Sequence, residues 1–215
     1  MKPFPIILSS PSGGGKTTIA HRLLTERGDV GYSVSCTTRP PREGEVKGKD
    51  YQFISNEEFN RGQKAGEFAE SARVHGHLYG TLRAEVERVL SSGRHVIMDI
   101  DVQGARQFSK AFPSSVLIFI LPPSADVLVD RLRMRGTEDP ASLVRRFKSA
   151  KDELKAIDLY HYVIVNDEID SAVAAVSSII NAEGSRRIRN GALDTRVEEL
   201  MNGIEQAIDQ YSARK

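Results

Sequence analysis

Four stretches of the chain are apolar with almost no polar interruption: Ile6-Ile7-Leu8, Val96-Ile97-Met98, Val116-Leu117-Ile118-Phe119-Ile120 and Val163-Ile164-Val165. They lack the in-out alternation of a half-exposed strand. Continuous apolar strands predict a sheet buried on both faces, the usual situation of parallel sheets covered by helices. Between them the period lengthens to that of a helix. Thr17 to Glu26 gathers Ile19, Leu23 and Leu24 on one face, and Leu82 to Leu90 gathers Val86, Val89 and Leu90. A third helix is predicted from about Ala125, with Leu128 and Leu132 on its apolar side and Ser124 as cap. Strands alternating with helices predict an α/β fold with right-handed crossovers.

Two segments break this rhythm. Residues 32 to about 80 are polar, basic and glycine-spaced, with a short β-like piece near their end, and read as an inserted lobe. The stretch "RLRMRGTEDPASLVRRFKSAKDEL" is Arg-rich and helical, with Pro140 suited to a first helical turn. Near the end, Val197, Leu200, Met201, Ile204, Ile208 and Tyr211 form an amphipathic stripe behind a capping-box pattern, Thr195 with Glu198. That stripe is expected to pack on the chain's own core, and pairing with a second subunit is the sharper alternative. No internal repeat or low-complexity linker is seen.

Composition adds little. Of 215 residues, 40% are hydrophobic and 27% charged, with a formal net charge of +1. Such a balance gives no bulk pull towards nucleic acid or membrane. The single cysteine, Cys36, rules out an internal disulfide and suits a reducing compartment. No apolar run nears the roughly 18 residues of a membrane span, and the N-terminal apolar run is too short for a signal-peptide core. A cytoplasmic protein is expected.

The chemistry begins at "SPSGGGKT", Ser10 to Thr17. It fits the phosphate-loop pattern G-x-x-x-x-G-K-[S/T] except that Ser10 replaces the first glycine. The context is right, a strand before and a helix after. Ser12, Gly13, Gly14, Gly15, Lys16, Thr17 and Thr18 are therefore candidate ATP contacts, with the backbone N–H groups of Gly13 to Thr18 wrapping a polyphosphate at the helix N-terminus. Lys16 would neutralise the β- and γ-phosphates and the Thr17 hydroxyl would help hold Mg²⁺. The bland alternative is a glycine turn with a solvated lysine. Asp99 follows an apolar strand, where this fold class often carries a carboxylate associated with Mg²⁺, directly or through water. Asp101 lies beyond the carboxyl end of that strand, where open α/β sheets bind ligands; a turn carboxylate is the alternative. Arg39 and Arg42, stiffened by Pro40 and Pro41 and followed by Tyr51, suit a phosphate dianion, or else form a solvated basic loop.

The segments "SCTTRPPREGEVKGKDYQF", "EFAESA", "YGT" and "DIDVQG" together resemble guanylate kinase, and the resemblance runs from about Pro5 to about Arg189. It implies a phosphate-loop core with a mostly parallel sheet flanked by helices, plus an inserted GMP-binding lobe and a helical lid. On this chain the core would take about 1–34, 95–128 and 162–190, the lobe about 35–94, the lid about 129–161 and a C-terminal helix about 194–212. The implied reaction moves the γ-phosphoryl of ATP to GMP or dGMP with Mg²⁺. The resemblance implies that Arg39, Arg42, Tyr51 and Tyr79 hold the GMP phosphate, and that Ser35, Glu70, Thr81 and Asp101 read the guanine. Guanine's N1–H and N2–H need carboxylates and its O6 needs hydroxyl donors. Thr81 stands where many members carry serine. Arg135 and Arg146 map to the lid's catalytic arginines beside Lys16 and Arg42. Arg131 is a further ATP contact, and Asn166 and Asp167 are adenine contacts. Cys36 has no catalytic role, and His75 and His77 read as surface residues. Partners beyond GMP and ATP are not implied, although a homo-oligomer is left open. The competing readings are a non-catalytic module of the same fold and an AMP or UMP kinase.

Overall fold

The computed structural model describes residues 2–74, 76–134 and 140–213. Five strands form the main sheet: β1 (Pro5–Ser9), β2 (Val30–Tyr32), β7 (His95–Asp99), β8 (Val116–Leu121) and β9 (Tyr162–Val165), in the order β2-β7-β1-β8-β9. All the pairings are parallel. Alternate residues of β1 face opposite layers. Ile6 and Leu8 meet α1 (Lys16–Glu26) and α7 (Ile169–Gly184) through Ile19, Leu23, Val173 and Val176. Ile7 meets α3 (Arg83–Ser91) and α4 (Val102–Ala111) through Val86, Val89, Ala105 and Phe108. Burial on both faces is why β1, β7 and β8 read as unbroken apolar runs. The edge strand β9 departs from that expectation, since Val163 is 46% and Val165 56% exposed and Ile164 alone is buried. The edge strand β2 escapes that reading because it is three residues long and contains Gly31.

The interrupting segment builds a second sheet in the order β4-β3-β6-β5, from β3 (Cys36–Thr37), β4 (Gln52–Phe53), β5 (Phe68–Val74) and β6 (His77–Leu82). Its small core is Cys36, Phe59 and Leu78, with Phe59 stacked on Phe68 at 4.4 Å between ring centres. Phe59 belongs to α2 (Asn56–Lys64), which is nucleated by a capping box between Ser55 and Glu58. Burial pushes the Cys36 thiol up to about 11, as for an inert core side chain. His77 opens β6 and is half-buried; His75 lies outside the described residues.

The segment expected as the lid, about 129–161, falls on the end of α5 (Ala125–Met134) and on α6 (Pro140–Leu154). Ser124 caps α5 through the Val127 N–H. Leu128, Leu132 and Ala150, with Leu143 and Phe147 against them, form a satellite core separate from the sheet. Among the described residues no helix is long and apolar enough to cross a membrane.

Behind α7 the chain is fastened by a buried ion pair. Arg189 donates to Glu183 Oε2 at 3.0 Å and to the Ser114 carbonyl at 3.0 Å, and its guanidinium lies 3.9 Å over the Phe4 ring. Burial pushes the Glu183 carboxyl up, but donors from Tyr162, Arg189 and Arg186 outweigh it and leave the group below its usual value. Removing one partner strands the other charge in the interior. Glu183→Ala is expected to lower unfolding free energy by about 3–5 kcal/mol, read from urea denaturation. An unchanged midpoint would contradict that coupling.

The last helix, α8 (Leu193–Ser212), departs from expectation in two ways. It starts before Thr195, with Ala192 at the cap position and no side-chain cap, so the Thr195–Glu198 box does not form. Its apolar stripe does not pack on the core either, since Val197 is 45% exposed and Tyr211 73%.

Candidate functional site

The phosphate loop joins β1 to α1. Gly13 and Gly15 have φ of 87° and 94°, a left-handed backbone that other residues rarely adopt. The serine at the first loop position is accommodated by Gly14. A Cβ there would lie 2.6 Å from Ser10 Cβ, so the missing side chain on Gly14 makes room for the extra one on Ser10. The turn is closed by the Gly14 N–H donating to Pro11 O at 2.8 Å, with the Ser10 hydroxyl on the same oxygen at 2.9 Å.

Asn166, at the end of β9, braces the loop from the side. Its amide donates to Gly14 O at 2.9 Å, and any Cβ on Gly15 would collide with it. Arg131 on α5 donates to Asn166 O at 3.4 Å, while its Nη1 is buried with no hydrogen-bond partner among the described residues. Asp167 is exposed beside them.

At the carboxyl end of β7, Asp99 accepts from the Thr17 hydroxyl at 2.5 Å and from Tyr32 OH at 3.1 Å. A hydroxyl and a carboxylate brought together at the loop are the oxygen donors that Mg²⁺ takes, the cation keeping several waters and finding its other ligands on phosphates. The residues present therefore fit that ion. Tyr32 is a contributor the sequence reading missed, because its strand was missed.

Across the cleft, β5 and β6 pair antiparallel with Glu70 opposite Thr81. That register joins three polar side chains. Thr81 Oγ1 donates to Glu70 Oε1 at 2.7 Å and lies 3.2 Å from Ser35 Oγ. Asp101 caps α4, accepting from the Gly104 N–H at 2.7 Å. A Cβ on Gly104 would fall 3.0 Å from Glu70 Oε2 and 3.4 Å from Asp101 Oδ1, so both carboxylates converge over a bare backbone. Glu70 is buried, and burial pushes its carboxyl from 4.5 up to about 7. The Thr81 hydroxyl pulls it back and the neighbouring Asp101 charge raises it.

Arg39 Nε donates to Tyr79 OH at 3.1 Å, and its guanidinium sits 5.6 Å from the Tyr51 ring centre. Glu45, another residue the sequence reading passed over, binds the Arg39 guanidinium at 2.7 Å and the Arg42 N–H at 2.8 Å. It fixes the turn carrying both arginines; the signal was a carboxylate three residues after Arg42. The Arg42 side chain itself points out to solvent. On the lid, Arg146 donates to Leu132 O at 3.3 Å. Arg135 lies outside the described residues. One cleft of about 1290 Å³ is lined by Lys16 and Thr17 on one side, Ser35, Glu70 and Tyr79 on the other, and Arg146 above.

A family model described as guanylate kinase matches residues 2–183. This chain belongs to the guanylate kinase family. The guanylate kinase of Symbiobacterium thermophilum is 47% identical over 196 residues, 90% of this chain and 93% of that one. That of Thermotoga maritima is 46% identical over 190 residues, covering 88% and 92%. A crystal structure of guanylate kinase from Anaplasma phagocytophilum aligns with a TM-score of 0.75 at 36% identity, over 92% of this chain and 94% of that one. The α/β guanylate kinase fold expected from the sequence is thus the one found. The family match stops at Glu183, so α8 lies outside it.

Proposed function

We propose that the chain transfers the γ-phosphoryl of ATP to GMP, giving ADP and GDP. The observation that carries this reading is the Glu70–Thr81–Ser35 cluster with Asp101, in one cleft with a complete phosphate loop. Guanine's N1–H and N2–H would donate to Glu70 and Asp101, while Ser35 and Thr81 would turn hydroxyls towards O6, Thr81 giving up its bond to Glu70 as the guanine donors replace it. Arg39, Arg42, Tyr51 and Tyr79 would hold the GMP phosphate. Gly13 to Thr18 would hold the ATP phosphates, with Ser12 leading into the loop and Arg131, Asn166 and Asp167 beside the adenosine. Thr17 and Asp99 would hold Mg²⁺, which supplies charge neutralisation on the β- and γ-oxygens when bound.

Such a transfer needs no protein nucleophile. A GMP phosphate oxygen attacks the γ-phosphorus in line, the bond to the ADP oxygen breaks, and the protein positions both nucleotides. Lys16, Arg146 and, by the family resemblance, Arg135 would offset the charge that spreads over the transferring group. Lid closure would keep water from competing with GMP.

An ADP-release assay with GMP, dGMP, AMP and UMP tests the reading. GMP is expected to exceed AMP by roughly 10⁴-fold in kcat/KM, because adenine leaves buried polar groups unpaired. Equal turnover of AMP would overturn it.

The Glu70 carboxyl adds a pH signature. Free enzyme holds a proton there up to about pH 7, whereas guanine's donors require the carboxylate. GMP binding near neutrality should therefore release a proton, and its affinity should fall by up to about tenfold per unit below pH 7. For folding the sign is the reverse of a salt-bridged acid. The raised pKa favours the protonated native state, and that stabilisation is lost as pH rises from 4.5 through about 7. Calorimetry in buffers of different ionisation enthalpy measures the release, with Glu70→Gln as control. Equal proton release by that variant would refute the assignment.

A further inference from the structure

The C-terminal half-turn of the lid helix touches the phosphate loop through one bond. Glu153 Oε2 accepts from the Ser12 N–H at 3.1 Å, joining residues 141 apart in sequence. Ser149, one turn back, donates to the other carboxylate oxygen at 3.4 Å. This bond falls where the packing of α6 changes character. Among the described residues, Leu143, Phe147 and Ala150 pack in the satellite core with α5. From Leu154 onwards, Ala156, Ile157 and Tyr160 pack into the core beneath the main sheet. A boundary between a small detachable core and the fixed one is where a helix pivots. Arg146 lies seven residues, two turns or about 10.5 Å, before Glu153 on the same helix face.

We propose that Glu153 is a positioning residue that pins the lid helix to the phosphate loop at Ser12, so that Arg146 swings on an arc fixed to the loop that holds ATP. The proposal rests on the reading of this cleft as the ATP–GMP site. Ser12 N–H precedes the loop N–H groups proposed to meet the phosphates, so nucleotide need not displace the pin. The loop's second half is braced by Asn166 from β9 and its first half by Glu153 from the lid. Burial pushes the Glu153 carboxyl above its usual value, with the Asp101 charge adding to the rise, and the Ser12 N–H and the Lys16 charge offset only part of it. The loop then senses lid orientation directly, and the lid arginine inherits its reach from the loop.

The test compares Glu153→Ala with Glu153→Gln, which keeps an acceptor oxygen but not the charge. Glu153→Ala should lower kcat about 10- to 100-fold with ATP KM and GMP affinity within about threefold, because only transition-state alignment is lost. Glu153→Gln should restore kcat to within about threefold of wild type. A Gln variant as slow as the Ala variant would overturn the pin in favour of a charge effect. Loss confined to ATP KM would overturn it in favour of plain loop stability. Independently of activity, hydrogen exchange at the Ser12 amide should be slow in wild type and Glu153→Gln and fast in Glu153→Ala, with and without a non-hydrolysable ATP analogue. Deprotection of Ser12 on adding the analogue would overturn the proposal. Absence of GMP-dependent ADP release by the wild type would instead defeat the functional reading, while the exchange pattern still judges the contact.

Discussion

Glu70→Ala is expected to cut kcat/KM for GMP by about two to four orders of magnitude, roughly 3–5 kcal/mol, with ATP affinity within about threefold. Glu70 is 6% exposed and its Oε1 already receives the Thr81 hydroxyl. The second oxygen faces Gly104, where no side chain competes for it. Two guanine donors that met a carboxylate would, after truncation, lie buried beside a methyl group, and charge-assisted hydrogen bonds are the costly ones to lose. AMP should remain a poor substrate, since deleting an acceptor builds no donor for adenine N1. ATP should be untouched because its proposed contacts come from the loop between β1 and α1, from α1 and α5, and from the residues after β9. GMP turnover and ATP affinity are measured in the same variant. Retained GMP efficiency with weakened ATP binding would show that Glu70 does not read guanine.

Lys16→Ala should lower kcat by about 10²–10³-fold or more, the scale of removing one preorganised charge from a transition state. Lys16 opens α1 directly after the left-handed Gly15, so its side chain leaves the loop towards the cleft and away from the sheet. It contributes nothing to the apolar layer of α1, which is Ile19, Ala20 and Leu23. Stability should therefore change by no more than about 0.5 kcal/mol. Steady-state kinetics with a thermal melt separates the two effects. Turnover within about threefold of wild type would remove Lys16 from the chemistry.

The central strands were legible because residues covered on both faces leave an unbroken apolar signature. β1, β7 and β8 carry it; β9 has the apolar run but lies at the sheet edge with Val163 and Val165 exposed, so there the run overstated burial. The phosphate loop was legible because strand, glycines, lysine and helix are contiguous. Glu70 was not readable from local sequence. An acidic residue in "EFAESA" has no chemistry until the β5–β6 register sets it opposite Thr81 and α4 brings Asp101 to the same place. Only the family resemblance pointed there. Asn166 was expected beside adenine; its amide also supports Gly14 O, a contact spanning 152 residues that no local pattern encodes. Glu45 and Glu153 escaped for the same reason, each being an ordinary surface-type acid until its partner is known. The α8 stripe was seen as a pattern, but periodicity says which face is apolar and not what covers it.

The order of strands in the main sheet sets a timetable for synthesis. β1 is the middle strand, yet its two neighbours are β7 and β8, at His95–Asp99 and Val116–Leu121. Ile6, Ile7 and Leu8 are fully buried in the finished molecule. At about 5–20 residues per second, the ribosome needs several seconds or more after making β1 before β7 exists, and longer for β8. Through that interval the central strand of the sheet has no parallel partner, and α1 alone can shelter one of its faces. The nascent chain is therefore most vulnerable to aggregation early, and its central sheet closes only once more than half of the sequence has emerged. Slowing elongation before residue 95 should lengthen the exposure, whereas slowing it after residue 121 should do little.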